Sequence, residues 1–143
     1  MAVRIAGAEN EEKRLATLVG RIFHIIEMPE AGVDVYLISD EEMRTLYLKT
    51  AGKDKVTNVL SFPEPKGFVD PDVKGQFLGE IYLAPAHIAR EAKEMGISAE
   101  EWEKKLIIHG ILHLLGFDHI KDEDAEVMEK KEEWVIERLK DVD

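Results

Sequence analysis

Cysteine is absent from the 143-residue chain, which excludes disulfides and thiolate ligands and leaves any metal to imidazole and carboxylate. No apolar run approaches eighteen residues, so no membrane-spanning helix is expected. The opening Met-Ala-Val-Arg-Ile-Ala-Gly lacks the apolar core and cleavage pattern of a secretory signal. Internal repeats, linkers and low-complexity stretches are missing too. With 45% hydrophobic and 34% charged residues, the expectation is one globular domain over 1–143, large enough for a proper core and cytoplasmic in location.

Positive charge is scarce. A net charge of −11 argues against a protein that coats nucleic acid by bulk electrostatics, and no DNA partner is expected. The charge is unevenly spread. Residues 118–143 hold eleven Asp and Glu against five Lys and Arg, whereas 43–78 hold six Lys and Arg against four acids. A local basic site on an acidic body is compatible with these balances. The acidic C-terminal segment reads most simply as a solvated helix face.

Apolar periodicity and punctuation divide the chain. Val3–Ala6 reads as a strand, 9–28 as a helix, 33–39 as a strand, and Ser39-Asp-Glu-Glu42 as a capping box that starts a helix ending at Gly52. Val56–Pro63 reads as a core strand after a Lys53–Lys55 turn, and 77–84 as another strand. Between them, 64–76 is rich in Pro, Gly, Asp and Lys and is a candidate mobile flap. Pro85 opens a helix that runs to Gly96, and a second capping box, Ser98–Glu101, starts a long helix. Asp122 is expected to cap a last helix reaching about 140, with Val127, Trp134, Ile136 and Leu139 as its buried side. The pattern predicts an α+β domain whose mixed four-stranded sheet is covered by helices.

Three of the five histidines lie in one stretch, His109-Gly-Ile-Leu-His113-Leu-Leu-Gly116-Phe-Asp118-His119. His109 and His113 are four apart and therefore share a helix face. Gly116 can end the helix in a left-handed conformation and let His119 return over that face. Three imidazoles with a fourth position open are the ligand set of a catalytic zinc site. Nickel, copper and manganese remain compatible with the same ligands. Metal-assisted hydrolysis is the matching reaction class.

The spacing is that of metzincin-type zinc peptidases, H-E-x-x-H-x-x-G-x-x-H, but Gly110 stands where they carry the general base. Loss of that base is worth about two to four orders of magnitude, so peptide hydrolysis is disfavoured. A phosphodiester suits the site better, because its oxygens bind a metal directly and RNA brings its own 2′-hydroxyl. Asp118 has two readings, partner or proton carrier for a histidine and backbone cap of the turn. Glu80 is a candidate base if its strand passes near the site, and a solvated carboxylate otherwise. His24 reads as a surface or packing residue. His87 is a weaker candidate at a helix start.

The stretch 109–119 resembles the signature of the YbeY family of bacterial zinc-dependent endoribonucleases. Thr57-Asn-Val-Leu-Ser-Phe-Pro63, preceded by Gly52-Lys-Asp-Lys55, resembles the family's second motif, and Leu78-Gly-Glu-Ile81 its third, where Asp is more usual than Glu80. The resemblance implies a zincin-like metal helix with zinc ligands His109, His113 and His119. It implies a single-strand-specific endoribonuclease acting on ribosomal RNA, in maturation of the small-subunit 3′ end and in ribosome quality control. Ser61 joins the substrate-binding residues on the same ground. Family members usually carry Arg just before the glycine of the second motif, and here that residue is Ala51. Lys49, Lys53 and Lys55 are the candidates to replace its charge. Two rival functions stand beside this one. The first is a ribosome-assembly factor that binds small-subunit ribosomal proteins around a structural metal. The other, a metallopeptidase, is weakened by Gly110.

Overall fold

A computed structural model describes residues 2–7, 9–65, 67–117 and 121–142. The elements are β1 (Ala2–Ala6), α1 (Glu12–Ile25, entered through a 3-10 turn), β2 (Gly32–Leu37), α2 (Asp40–Ala51), β3 (Val59–Pro63), β4 (Phe77–Leu83), α3 (Pro85–Met95), α4 (Ala99–Leu114) and α5 (Asp122–Val142). The sheet order is β1-β2-β4-β3, with the first three strands parallel and β3 antiparallel to β4. The α+β class and the mixed four-stranded sheet are as the sequence predicts.

Alternation along the strands decides which face the helices cover. Val33, Val35 and Leu37 of β2 and Ile81 and Leu83 of β4 point to one side. They are buried there against Leu15, Val19, Ile22 and Phe23 of α1 and Ile107, Ile108, Ile111 and Leu112 of α4. Full burial of each such side chain contributes roughly 2 kcal/mol, so α4 is held firmly in the middle of the domain. The helix starts follow the caps. Ser39 Oγ accepts the Glu42 amide at 3.1 Å while Glu42 Oε1 accepts the Ser39 amide at 3.0 Å, and Ser98 Oγ accepts the Glu101 amide at 3.0 Å.

Three expectations change. The strand expected from 56 begins at Val59, because that residue already pairs with Leu83, the last residue of β4. Helix α5 starts at Asp122, which is its first residue and not its cap, and its buried side is Met128, Val135 and Leu139. Leu139 is buried as expected and Trp134 and Ile136 are half-buried against the core, whereas Val127 is 57% exposed. The ring of Trp134 lies between Lys131 Nζ at 4.0 Å and Arg138 Cζ at 3.9 Å, so its apolar surface is shielded by two cations along its own helix.

The third change concerns 64–76. Asp70 binds Arg4 at 2.7 Å, the Gly75 amide donates to the Glu30 carbonyl at 3.0 Å, and Phe68 packs on Phe77 with ring centroids 5.8 Å apart. The Arg4 guanidinium holds the Asp70 carboxyl below the usual carboxylate range. The loop is thus fastened to the side of the sheet away from α4.

A bulge interrupts the central β2–β4 pair. Gly32 pairs with Phe77 and Asp34 with Glu80, so Val33 of β2 faces two residues of β4, Leu78 and Gly79. Gly79 has φ +140°, and a Cβ there would lie 2.2 Å from the Phe62 carbonyl oxygen. Only glycine lets β3 close on β4 at this point.

Candidate active-site cleft

A cleft of about 660 Å³ opens beside α4. Its floor is one face of that helix, carrying Trp102, Lys105, Leu106, His109 and His113. Residues 57–61, ending in strand β3, form one wall together with Tyr47 of α2. Glu129, Glu132, Glu133 and Ile136 of α5 form the other.

His109 and His113 are both half-buried, with ring centroids 4.6 Å apart and ring planes at 77°. His109 Nδ1 lies 2.7 Å from Glu132 Oε1. A carboxylate accepts only, so Nδ1 carries the hydrogen and donates it, leaving the lone pair on Nε2. A metal-binding histidine is commonly fixed in this manner by a carboxylate behind it. The donor set therefore fits a zinc-type ion. His119 and Asp118 lie outside the described residues, and among the described residues no group of three potential ligands assembles.

Gly110 explains how the strand and the helix meet. A Cβ at this position would stand 3.0 Å from Ser61 Oγ and 3.3 Å from Ile81 Cδ1. β3 therefore rests close on α4, and Ser61 faces the helix floor and lines the cleft. The same contact crowds any side chain at the position where zincin-type peptidases keep their base.

Glu80 is not on this surface. It follows the bulge and neighbours Ile81, whose side chain meets α4, so strand alternation turns Glu80 to the opposite face. There Tyr82 Oη donates to Glu80 Oε2 at 3.3 Å, and Tyr82 stacks on Tyr36 at 4.8 Å. Burial, reinforced by Glu80, pushes the Tyr82 phenol up to about 12, so it stays protonated and keeps donating. The expectation of Glu80 as a base beside the histidines is corrected accordingly.

Lys49, Lys53 and Lys55 are exposed, and none lines the cleft. Lys53 Nζ sits 5.8 Å from the centroid of Tyr47, whose own side lines the wall. The turn between them is fastened by Arg44 and Asp54 at 2.7 Å. His87 is 3.6 Å from Glu91. That carboxylate also accepts from Trp102 Nε1 at 3.0 Å and Asn58 Nδ2 at 2.9 Å, so His87 stands behind the cleft wall.

Sequence reading missed Trp102, Lys105 and Glu132. Trp102 and Lys105 precede His109 by seven and four residues, so helical spacing alone places them on the histidine face. Glu132 carried no such signal, because its contact with His109 crosses 23 residues and exists only through the packing of α5 on α4.

The sequence matches the family described as Endoribonuclease YbeY over residues 4–140. It is 44% identical over 110 residues to "Endoribonuclease YbeY" of Chelativorans sp. (strain BNC1), covering 77% of this chain and 67% of that one. A Francisella tularensis protein of the same name is 39% identical over 124 residues, covering 85% of this chain and 71% of the relative. The solution structure of TM1509 from Thermotoga maritima superposes with a TM-score of 0.62 at 31% identity, over 97% of this chain and 92% of that one.

Proposed function

The chain belongs to the YbeY endoribonuclease family, and from that premise we propose that it cuts single-stranded RNA in the cleft between α4, β3 and α5. His109, His113 and His119 would hold a zinc ion, which when bound supplies charge neutralisation at the phosphate oxygens and a more acidic water. The carrying observation is the His109–His113 pair with Glu132 behind it. Glu132 holds one imidazole in a single tautomer and orientation. Gly110 and Ser61 keep the β3 wall close against the helix, and the position of the peptidase base carries no carboxylate. The 2′-hydroxyl of RNA is the nearest nucleophile to phosphorus, which accounts for ribose over deoxyribose. The biological substrate on this reading is ribosomal RNA at the small-subunit 3′ end, with roles in its maturation and in ribosome quality control in the cytoplasm.

The test uses purified protein with its metal content measured. A short single-stranded RNA is expected to be cut, the same RNA annealed to its complement to be spared, and cutting to stop with a chelator and return with zinc. Zinc present with no cutting above background would overturn the reading. It would favour the assembly-factor role, for which the acidic α5 wall and the net charge of −11 suit basic small-subunit ribosomal proteins.

Glu132→Gln probes the carboxylate behind His109. The variant keeps shape and an acceptor but loses the charge, and zinc affinity is expected to fall at least about tenfold. Competition with a chelating dye measures this. An unchanged affinity would remove Glu132 from the site's support.

A further inference from the structure

We propose that Trp102 and Lys105 form a nucleotide subsite immediately upstream of the histidine pair on α4, in which a base stacks on the indole and the adjoining phosphate sits on the ammonium. This rests on the RNA-cleaving reading above.

The first observation is alignment. Lys105, His109 and His113 are spaced by four, so they form one stripe along the cleft floor, with Trp102 one turn further up. Successive members of the stripe are about 6 Å apart along the helix axis. A strand whose scissile phosphate lies at the histidines therefore passes over Lys105 with its next nucleotide.

The second observation is charge. Among the described residues that line the cleft, Lys105 is the only Lys or Arg, and it faces an α5 wall of three glutamates. A polyanion entering here is repelled by that wall and needs a cation on the floor. Lys105 is half-buried and makes no hydrogen bond or ion pair with a described residue. Lys49, Lys53 and Lys55, which the sequence offered in place of the charge missing at Ala51, do not line the cleft; Lys53 comes no nearer than the Tyr47 ring at its wall. The phosphate contact falls to Lys105.

The third observation is rigidity. The Trp102 indole N–H is anchored on Glu91, which also holds Asn58 of the opposite wall. Its ring makes no stacking contact with another described aromatic. A fixed indole in a groove is the arrangement on which single-stranded bases stack without sequence preference. A paired base cannot present its face there, so the subsite also accounts for single-strand selectivity.

The experiment compares full-length, zinc-loaded wild type with Lys105→Gln and Lys105→Arg, all checked for equal folding by circular dichroism and Tm. Cleavage kinetics on a short single-stranded RNA are measured alongside binding of a 2′-O-methyl oligonucleotide over a range of salt. Lys105→Gln is expected to raise KM about tenfold with kcat within about twofold, and to flatten the salt dependence by about 0.7 in slope, one phosphate contact. Lys105→Arg restores both. In a Trp134→Phe background, where Trp102 is the sole indole, the oligonucleotide quenches emission and a duplex does not. If wild type cuts RNA while Lys105→Gln keeps the wild-type KM and salt slope, or Trp102 emission ignores the oligonucleotide, the subsite is overturned and the nuclease reading stands. If wild type fails to cut while quenching occurs and weakens in Lys105→Gln, the subsite stands and the nuclease reading falls.

Discussion

His113→Ala is expected to abolish stoichiometric zinc binding and to lower RNA cleavage about a thousandfold or more, in a chain that remains folded. The loss follows from removing one of two imidazoles that sit together on the cleft floor. A metal supplies several kcal/mol of charge stabilisation in such reactions, and about 4 kcal/mol corresponds to a factor near a thousand. Folding is spared because His113 is half-buried and faces the cleft. Its truncation opens onto solvent and leaves no sealed cavity, at a cost of about 1 kcal/mol. Elemental analysis, RNA cleavage and a denaturant melt on the same preparation check all three parts. Cleavage retained in metal-free His113→Ala protein would refute the proposed chemistry.

Gly79→Ala is expected to destabilise the sheet by about 3 kcal/mol, lowering Tm by about 10 °C. Its φ of +140° is a conformation that side-chain-bearing residues rarely adopt, and the new Cβ would press on the Phe62 carbonyl oxygen. Either the bulge opens or β3 leaves β4, and in both cases the wall that carries Ser61 retreats from α4. Activity falls with stability for that reason. Gly52→Ala is the control. It also has positive φ, at +71°, but an added Cβ there meets nothing within 4 Å, so only the backbone cost of about 1 kcal/mol applies. Equal losses in the two variants, by chemical denaturation, would show that the close approach of β3 to the bulge has no energetic weight.

Most of the architecture was legible because local chemistry and global packing agree. Ser39 and Ser98 announce their helices, Gly52 and Gly96 end them, and the apolar filling around His109 marks a central helix. In the third motif the conspicuous residue is not the one that matters. Glu80 draws attention as a carboxylate, yet its neighbour Gly79 does the structural work, and the bulge it permits is a two-strand property that one sequence run does not display. The C-terminal helix misled for another reason. Val127, Met128, Trp134, Val135 and Ile136 put apolar residues on more than one side; Trp134 and Ile136 pack partly on the core, with two cations over the Trp134 ring, and Val127 is the one left outside. The basic turn 49–55 has the charge density, but charge density says nothing about reach. Lys105, in the helix that carries the histidines, lines the cleft and the turn does not.

The contact between His109 and Glu132 also sets an order in time. During synthesis α4 emerges before α5, so a chain that has been made only to the end of α4 already carries both imidazoles but lacks the carboxylate that aligns one of them. The sheet and its central helix can collapse at that stage, whereas the orientation of His109 waits for α5 to dock Met128, Val135 and Leu139. The alignment of His109 is thereby coupled to the docking of α5, and a nascent chain that reaches only to the end of α4 holds both imidazoles without the carboxylate that orients one of them.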